Sequence, residues 1–496
     1  MRQVLESAWP ECAWLAPSAA APHYRPMRAE PQPAPYRPDP RILELAGWIG
    51  DPVAGADFPE TILRFRNDAH AASVGLAGLS DAEWCAHFGR FAALPDNLPQ
   101  PLALRYHGHQ FRVYNPEIGD GRGFLFAQMR DGAAKSGGRL LDLGTKGSGQ
   151  TPWSRQGDGR LTLKGAVREI LATAMLEAQG ADTSKTFSVI ETGEELFRGD
   201  EPSPTRSAVM VRLSHGHIRI GTFQRLAALG EREHMAELVE YCLETYPGPE
   251  AGENRAVVLL NQVVERLADL AASYMTAGFV HGVLNSDNMN ISGESFDYGP
   301  WRWVPTWDAG FTAAYFDHAG LYAFGRQPEA LHWNCGQLAV ALRLLSDAPP
   351  LVAALERFPA LYRANLARRF LWRLGIKSKG PDEDLHLVQA SEKMMRGRNW
   401  APVSFFHLMR GGLQFQQGDA DPELEEVFEG FLPTDDNNHA YWDEDQGQDM
   451  LIAEVESIWG AIAERDDWDP LHAKLAALKR MGEALGEPPV PAGHRS

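Results

Sequence analysis

The run His281-Gly282-Val283-Leu284-Asn285-Ser286-Asp287-Asn288, followed by Asp297-Tyr298-Gly299, places amide and carboxylate side chains at a spacing that could hold metal and phosphate. Protein kinases carry a catalytic Asp and a metal-binding Asn in H-x-D-x-x-x-x-N, then a second metal-binding Asp in D-F-G. The Asn and the second Asp hold magnesium ions that bridge the nucleotide phosphates. His281, Asn288 and Asp297 stand in the matching places, but Val283 occupies the position of the usual catalytic Asp. Asp287 is the nearby carboxylate that could replace it. Each piece alone has a bland reading, since Asn and Asp are common in turns for backbone reasons. Their order behind a helical run that ends at Gly278 is the context a catalytic loop needs, and Asp287, Asn288 and Asp297 are read together as a catalytic and metal cluster. His281 reads as a structural histidine.

Upstream, Gly119-Asp120-Gly121-Arg122 opens one strand-like run and Lys146 ends the next. A glycine turn lets backbone amides approach phosphate oxygens, and a lysine on a neighbouring strand can reach them. A short turn of no special purpose is the plainer reading of a lone GxGR. Glu169 follows Lys146 by 23 residues, beside the small or apolar Gly165, Ala166, Ala172 and Leu176. It would pair with Lys146 in a kinase arrangement, or with Arg168 or Lys164 if solvated. Asp158-Gly159 lies in a second glycine turn. Arg212 and Arg219 flank a Ser-His-Gly-His turn and are either surface arginines or bidentate phosphate ligands. Lys146-Gly147-Ser148-Gly149 is not a Walker loop, because the lysine precedes the glycines. The pairs His107/His109 and His215/His217 lack companion ligands for a metal site.

These residues need elements to hold them. Gly123 to Arg130 and Arg139 to Lys146 read as strands flanking the loop DGAAKSGG, and Leu161 to Gln179 as a helix ending at Gly180. Thr186 to Glu191 and Ala208 to Leu213 follow as strands. Arg255 to Ala277 has Val257, Leu260, Val263, Val264, Leu267, Leu270 and Ala271 at helical spacing, with Gly278 as C-cap. Leu331 to about Leu374 reads as more helix. The expectation is an α+β, protein-kinase-like fold of two lobes: a smaller β-rich N-terminal lobe and a larger, mainly helical C-terminal lobe. Residues 1–90 would wrap the core, and 91–225 form the nucleotide-binding small lobe. Residues 226–418 would carry the metal and catalytic loop, and 419–496 an acidic, solvated connection with late helices. Residues 8–41, rich in Pro and Ala, read as an arm or tail.

The chain has 496 residues, 44% hydrophobic and 23% charged, with a formal charge of −19. That charge argues against a nucleic-acid or anionic-membrane partner. Any polyphosphate site must then be a local basic pocket on an acidic background. Cys12, Cys85, Cys242 and Cys335 form no CxxC pair, which points to reduced thiols and no zinc cluster. No apolar run approaches membrane-spanning length, and no signal core is visible near the N-terminus. The expected compartment is the cytoplasm.

The runs YHGHQFRVYNPEIGDGR, TKGSGQTPWSRQGDGR, VREILA and HGVLNSDNMNISGESFDYGP, in consistent order over roughly residues 90–345, resemble the selenoprotein O family and its YdiU-like bacterial members. The resemblance implies transfer of AMP from ATP to Ser, Thr or Tyr hydroxyls of proteins, with UMP transfer associated with some members. It also implies a nucleotide bound in reverse relative to kinases, with Mg2+ or Mn2+. It maps Gly119, Gly121, Arg122, Lys146, Asp158, Gly159, Arg212 and Arg219 onto nucleotide contacts and Glu169 onto the partner of the lysine. Asp287 maps onto the proton acceptor, and Asn288 and Asp297 onto the metal ligands. Arg112 stands where a glycine is usual, and Gly144-Thr145 replaces an apolar pair. The late N-P-x-x-x-L-R-N segment and the C-terminal Cys or selenocysteine are missing, which puts redox control in doubt. Two rival readings stay open: an ATP-dependent phosphotransferase, and a silent nucleotide-binding scaffold. Neither protein substrate nor oligomeric state is legible.

Overall fold

The structure, a computed structural model, describes residues 34–132, 138–199, 201–246, 248, 252–412, 422–434 and 438–490. Much of the expected loop DGAAKSGG, the start of the 8–41 arm and part of the acidic stretch lie outside the described residues.

Ten strands build the small lobe: β1 (Gly50–Pro52), β2 (Ile62–Arg66), β3 (Leu102–Leu104), β4 (Gly108–Gln110), β5 (Val113–Asn115), β6 (Leu125–Arg130), β7 (Leu140–Lys146), β8 (Leu161–Thr162), β9 (Lys185–Leu196) and β10 (Thr205–Ser214). The main sheet runs β1-β3-β6-β7-β10-β9-β2, with β8 paired to β10 and β4-β5 a separate hairpin. Its neighbours are antiparallel, and the register sets Gly144 opposite Arg212 and Asp142 opposite Ser214. Alternate residues share a face, so Asp142, Gly144, Lys146, Arg212 and Ser214 look to one side. On the other side Leu141, Leu143, Val209, Val211 and Leu213 join a core with Trp84, Phe88 and Phe187. Trp84 stacks on Phe187 at 4.9 Å and donates to Ser188 Oγ at 2.8 Å. One sheet face is thus apolar and closed, the other polar and turned to the second lobe.

Two of these strands come from the segment expected to wrap the core: β1 pairs with β3 and β2 with β9. The next departure is at Leu161. The helix α1 spans Leu163–Ala178, while Leu161 and Thr162 pair with Ala208 and Ser207 as strand. Thr162 is the N-cap, its Oγ1 accepting from Gly165 N at 3.1 Å, and a cap residue needs extended backbone. Helical periodicity carried no mark of that switch.

The large lobe is organised on α2 (Arg255–Ala277), capped by Asn254 and closed by Gly278 at φ 70°. Leu260, Val263, Val264, Leu267, Leu270 and Ala271 are buried as the spacing predicts. The helices α3 (Gln327–Leu342) and α4 (Phe358–Leu374) pack on it. Within the acidic stretch expected to be solvated, Tyr441 is buried and its ring meets that of His407 at 5.2 Å. An aromatic side chain offers too much apolar area to leave in water. The last two helices, Ile452–Arg465 and Asp469–Leu485, return to the small lobe and cover α1.

Arg369 on α4 joins the lobes. Its Nε and Nη2 reach Asp269 of α2 at 2.9 and 2.5 Å, and Nη1 donates to the Gly180 carbonyl, just past α1, at 2.9 Å. Both side chains are out of water, so losing one partner strands the other charge. Arg369→Met should therefore lower the unfolding free energy by about 3–5 kcal/mol, read by urea denaturation, with Asp269→Asn in the same chain recovering part of the loss.

Candidate active site

A cleft of about 480 Å³ opens between the polar sheet face and the loop after α2. Gly119, Gly121, Arg122, Lys146, Asp158, Gly159, Arg212, Arg219, Asp287, Asn288 and Asp297 all line it. Glu169 stands behind the lining, 1% exposed, in contact with Lys146 Nζ. Every site residue expected from the sequence is therefore in one place or directly behind it.

Three elements meet at Lys146. β7 presents the ammonium, α1 brings Glu169, and the loop at Asp297 brings a carboxylate whose Oδ1 lies 3.2 Å from Nζ. Burial lowers the pKa of Lys146, with Glu169 and Asp297 opposing that fall. Burial alone would raise Asp297, yet Lys146, Arg212, Arg122 and Arg219 hold it well below the carboxylate range. Asp297 also sits at φ 61°, a left-handed conformation that a non-glycine residue adopts at a cost of about 1–3 kcal/mol. Its backbone is strained at the point where its carboxylate is needed.

Arg219 is threaded through the cleft floor. It donates to Asp120 Oδ1 at 2.9 Å and to the Asp287 carbonyl at 3.0 Å, between the rings of Tyr106 and Phe296 at 4.4 and 4.8 Å. Arg212 Nη1 lies 3.7 Å from Asp297 Oδ1. Arg212 Nε and Nη1 and Arg219 Nε are buried without a hydrogen-bond partner. Six arginines (122, 155, 160, 198, 212, 219) and Lys146 face Asp120, Asp158, Asp287 and Asp297. This is the local basic pocket that an acidic chain needs for an anionic ligand.

Asp287 is nearly buried. Burial pushes its carboxyl up to about 6, with Arg219 pulling the other way. Its Oδ1 has no hydrogen-bond partner, and Oδ2 is 3.5 Å from Gln110 Nε2. Gly108 at the start of β4 explains how it fits: a Cβ there would come within 2.8 Å of Asp287 Oδ1. Asn288 Nδ2 donates to the Val283 carbonyl at 3.1 Å, which leaves Oδ1 as its coordinating end. Asn288 and Asp297 thus offer hard oxygen donors suited to Mg2+ or Mn2+. Among the described residues no three His, Cys, Asp or Glu side chains gather as a metal cage.

The glycine turns are close-packed against one another. A Cβ on Gly119 would stand 2.5 Å from the Trp153 ring, and one on Gly159, at φ 68°, 2.2 Å from Gly149. Asp158 sits at the rim, bonded to Arg198 at 2.8 Å. His281 is structural, its Nε2 3.0 Å from the Phe296 carbonyl. His107 and His109 are engaged by the Tyr114 hydroxyl at 2.6 Å and Gln224 at 2.7 Å. Arg112 takes φ 64°, a conformation in which glycine is at no disadvantage. Instead it is tied to Glu329 at 3.0 Å.

Sequence reasoning missed Tyr106, Gln110, Trp153, Phe296 and His217, which line or wall the cleft. Tyr106, Gln110, Trp153 and Phe296 lie within the runs that carry the family resemblance, and His217 is one of two histidines beside Arg219.

A two-lobed, kinase-like fold whose cleft holds a Lys–Glu pair, an Asn and an Asp with oxygen atoms turned to the cleft, and an excess of arginine has the make-up of a nucleotide-handling transferase. The family model described as protein adenylyltransferase SelO matches residues 36–445, and the chain belongs to that family of nucleotidyltransferases. A protein nucleotidyltransferase YdiU from Synechocystis sp. is 41% identical over 480 residues, covering 89% of this chain and 97% of that protein. One from Gloeobacter violaceus is 40% identical over 465 residues, covering 89% and 95%. Among solved structures, the Toxoplasma gondii specific rhoptry antigen kinase domain aligns at 11% identity over 66% of this chain and 82% of that one, with a TM-score of 0.24. No helix among the described residues is long and apolar enough to cross a membrane.

Lys146→Ala removes the one cation shared by Glu169 and Asp297 and leaves both carboxylates facing each other's charge. We expect kcat/KM for the nucleotide to fall by about 100-fold or more, on the scale of losing an electrostatic stabiliser. Steady-state kinetics with radiolabelled nucleotide checks this.

Proposed function

We propose that this chain moves the AMP unit of ATP onto Ser, Thr or Tyr hydroxyls of proteins. The observation that carries the reading is Asp287. Val283 removes the ordinary kinase base, and the cleft wall instead carries a buried carboxyl with a free oxygen, next to Asn288. The relatives' description as protein nucleotidyltransferases supports the same step.

In this reading the acceptor oxygen attacks the α-phosphorus and the bond from that phosphorus to the bridging oxygen breaks. Pyrophosphate departs, and the hydroxyl proton passes to Asp287. Lys146, oriented by Glu169, and the arginines hold the negative charge that gathers on the phosphates. Asn288 and Asp297 would hold a Mg2+ or Mn2+ ion, which when bound neutralises phosphate charge. The reverse placement of the nucleotide rests on family resemblance. It agrees with donors that lack partners at the inner end of the cleft, where phosphates fit better than a base.

ATP labelled at the α-phosphate should label protein substrates, and ATP labelled at the γ-phosphate should not. Labelling only from γ means a kinase, and binding with no labelling means a silent scaffold. The same experiment with α-labelled UTP reads UMP transfer. Asp297→Ala, or a chelator in excess, should abolish labelling; full activity in either case would sink the metal assignment. Asp287→Ala should lower turnover by about 10²- to 10⁴-fold, the usual worth of a general base, and near wild-type turnover would remove Asp287 from that role.

A further inference from the structure

His217 has no task in the transfer just described. It lines the cleft beside Arg212 and Arg219 and is 6% exposed. Its Nδ1 lies 3.2 Å from Asp142 Oδ2, and the Ser214 hydroxyl stands beside the ring, 3.4 Å from Nδ1 and 3.5 Å from Nε2, a long contact that a phosphate oxygen would replace. Asp142 is fixed in turn, accepting at Oδ1 from Gln128 Nε2 at 2.8 Å. Across the ring, a Cβ on Gly144 would come within 2.1 Å of His217 Nε2. Glycine inside a strand costs stability and often marks a close approach, and here β7 gives up a side chain just where the imidazole lies. The same end of the cleft holds the guanidinium donors of Arg212 and Arg219 that have no hydrogen-bond partner. Buried cationic donors of that kind are best met by oxyanions, which bring both negative charge and several acceptor atoms.

We propose that His217, held by Asp142 over Gly144, is a phosphate-binding residue of the cleft, donating from Nε2 to the phosphate oxygens that Arg212 and Arg219 also reach. Asp142 is a positioning residue: it accepts the Nδ1 proton and so sets the ring's orientation. The ligand class is the polyphosphate end of a nucleotide, or free pyrophosphate. This rests on the cleft being a nucleotide site, but it is tested by binding alone, without any transfer.

The test is calorimetric titration of the full chain with ATP, inorganic pyrophosphate and adenosine. His217→Ala should weaken ATP and pyrophosphate by about tenfold or more, the worth of one charged hydrogen bond, and leave adenosine within about twofold. Gly144→Ala should give the same pattern by pushing the ring aside. Asp142→Asn should give a smaller loss in the same direction, raising KM for ATP more than it lowers kcat. His217→Gln keeps an N–H donor and should retain more pyrophosphate affinity than His217→Ala, which guards against a variant that merely misfolds. Unchanged pyrophosphate binding in His217→Ala overturns the proposal. So does a loss confined to adenosine, or an equal loss of all three ligands in a folded variant. If wild type binds ATP, His217→Ala binds it weakly and neither labels protein, the transfer reading falls and this one stands.

Discussion

The contact of Lys146 with Glu169 and Asp297 is the constraint around which the molecule is arranged. It needs a strand of the small-lobe sheet, the helix α1 and a loop from the large lobe to arrive at one buried point. Away from water, charges interact far more strongly than at the surface, and an unmatched one is costly. A shift of any one element would expose that cost. The glycine turns, the Arg369 clamp and the covered helix can all be understood as holding three approaches in register. Among the groups left without hydrogen-bond partners are guanidinium donors on the cleft floor, ready for a ligand that brings oxygen atoms, and Asp287 Oδ1 on its wall.

The local features were the legible ones. The capped run 255–277, the Asn-Ser-Asp-Asn loop and the strand ending in Lys146 each announce themselves within a few residues, through periodicity, a cap or a spacing. Glu169 could be matched to Lys146 because α1 turns its small and apolar residues the way the kinase pairing needs. What stayed hidden depends on distance along the chain. Arg64 and Arg206 meet Asp466 at 3.0 and 2.8 Å, and nothing in either stretch names the other. His217 and Asp142 are 75 residues apart, so the dyad is visible only once β7 and β10 are paired. Likewise the strands β1 and β2 were read as wrapping because short edge strands far from their partners leave little pattern.

The departures from family pattern are also explained locally. Arg112 keeps a left-handed backbone and ties its side chain to Glu329. Gly144-Thr145 gives up apolar packing for space beside His217, and Thr145 recovers a partner in Ser148 Oγ at 2.6 Å. Neither change removes a residue of the charged cluster.

The two C-terminal helices lie along α1, and Lys164 on that helix is bonded to Glu456 at 2.7 Å. In protein kinases the corresponding helix swings to make or break the Lys–Glu pair, and that swing is the switch. Here the helix is packed on one side by its own sheet and on the other by the returning tail. Parting Glu169 from Lys146 would therefore mean peeling α1 from the tail as well, so the chain's last helices weigh on a charge pair that lies far from them in sequence.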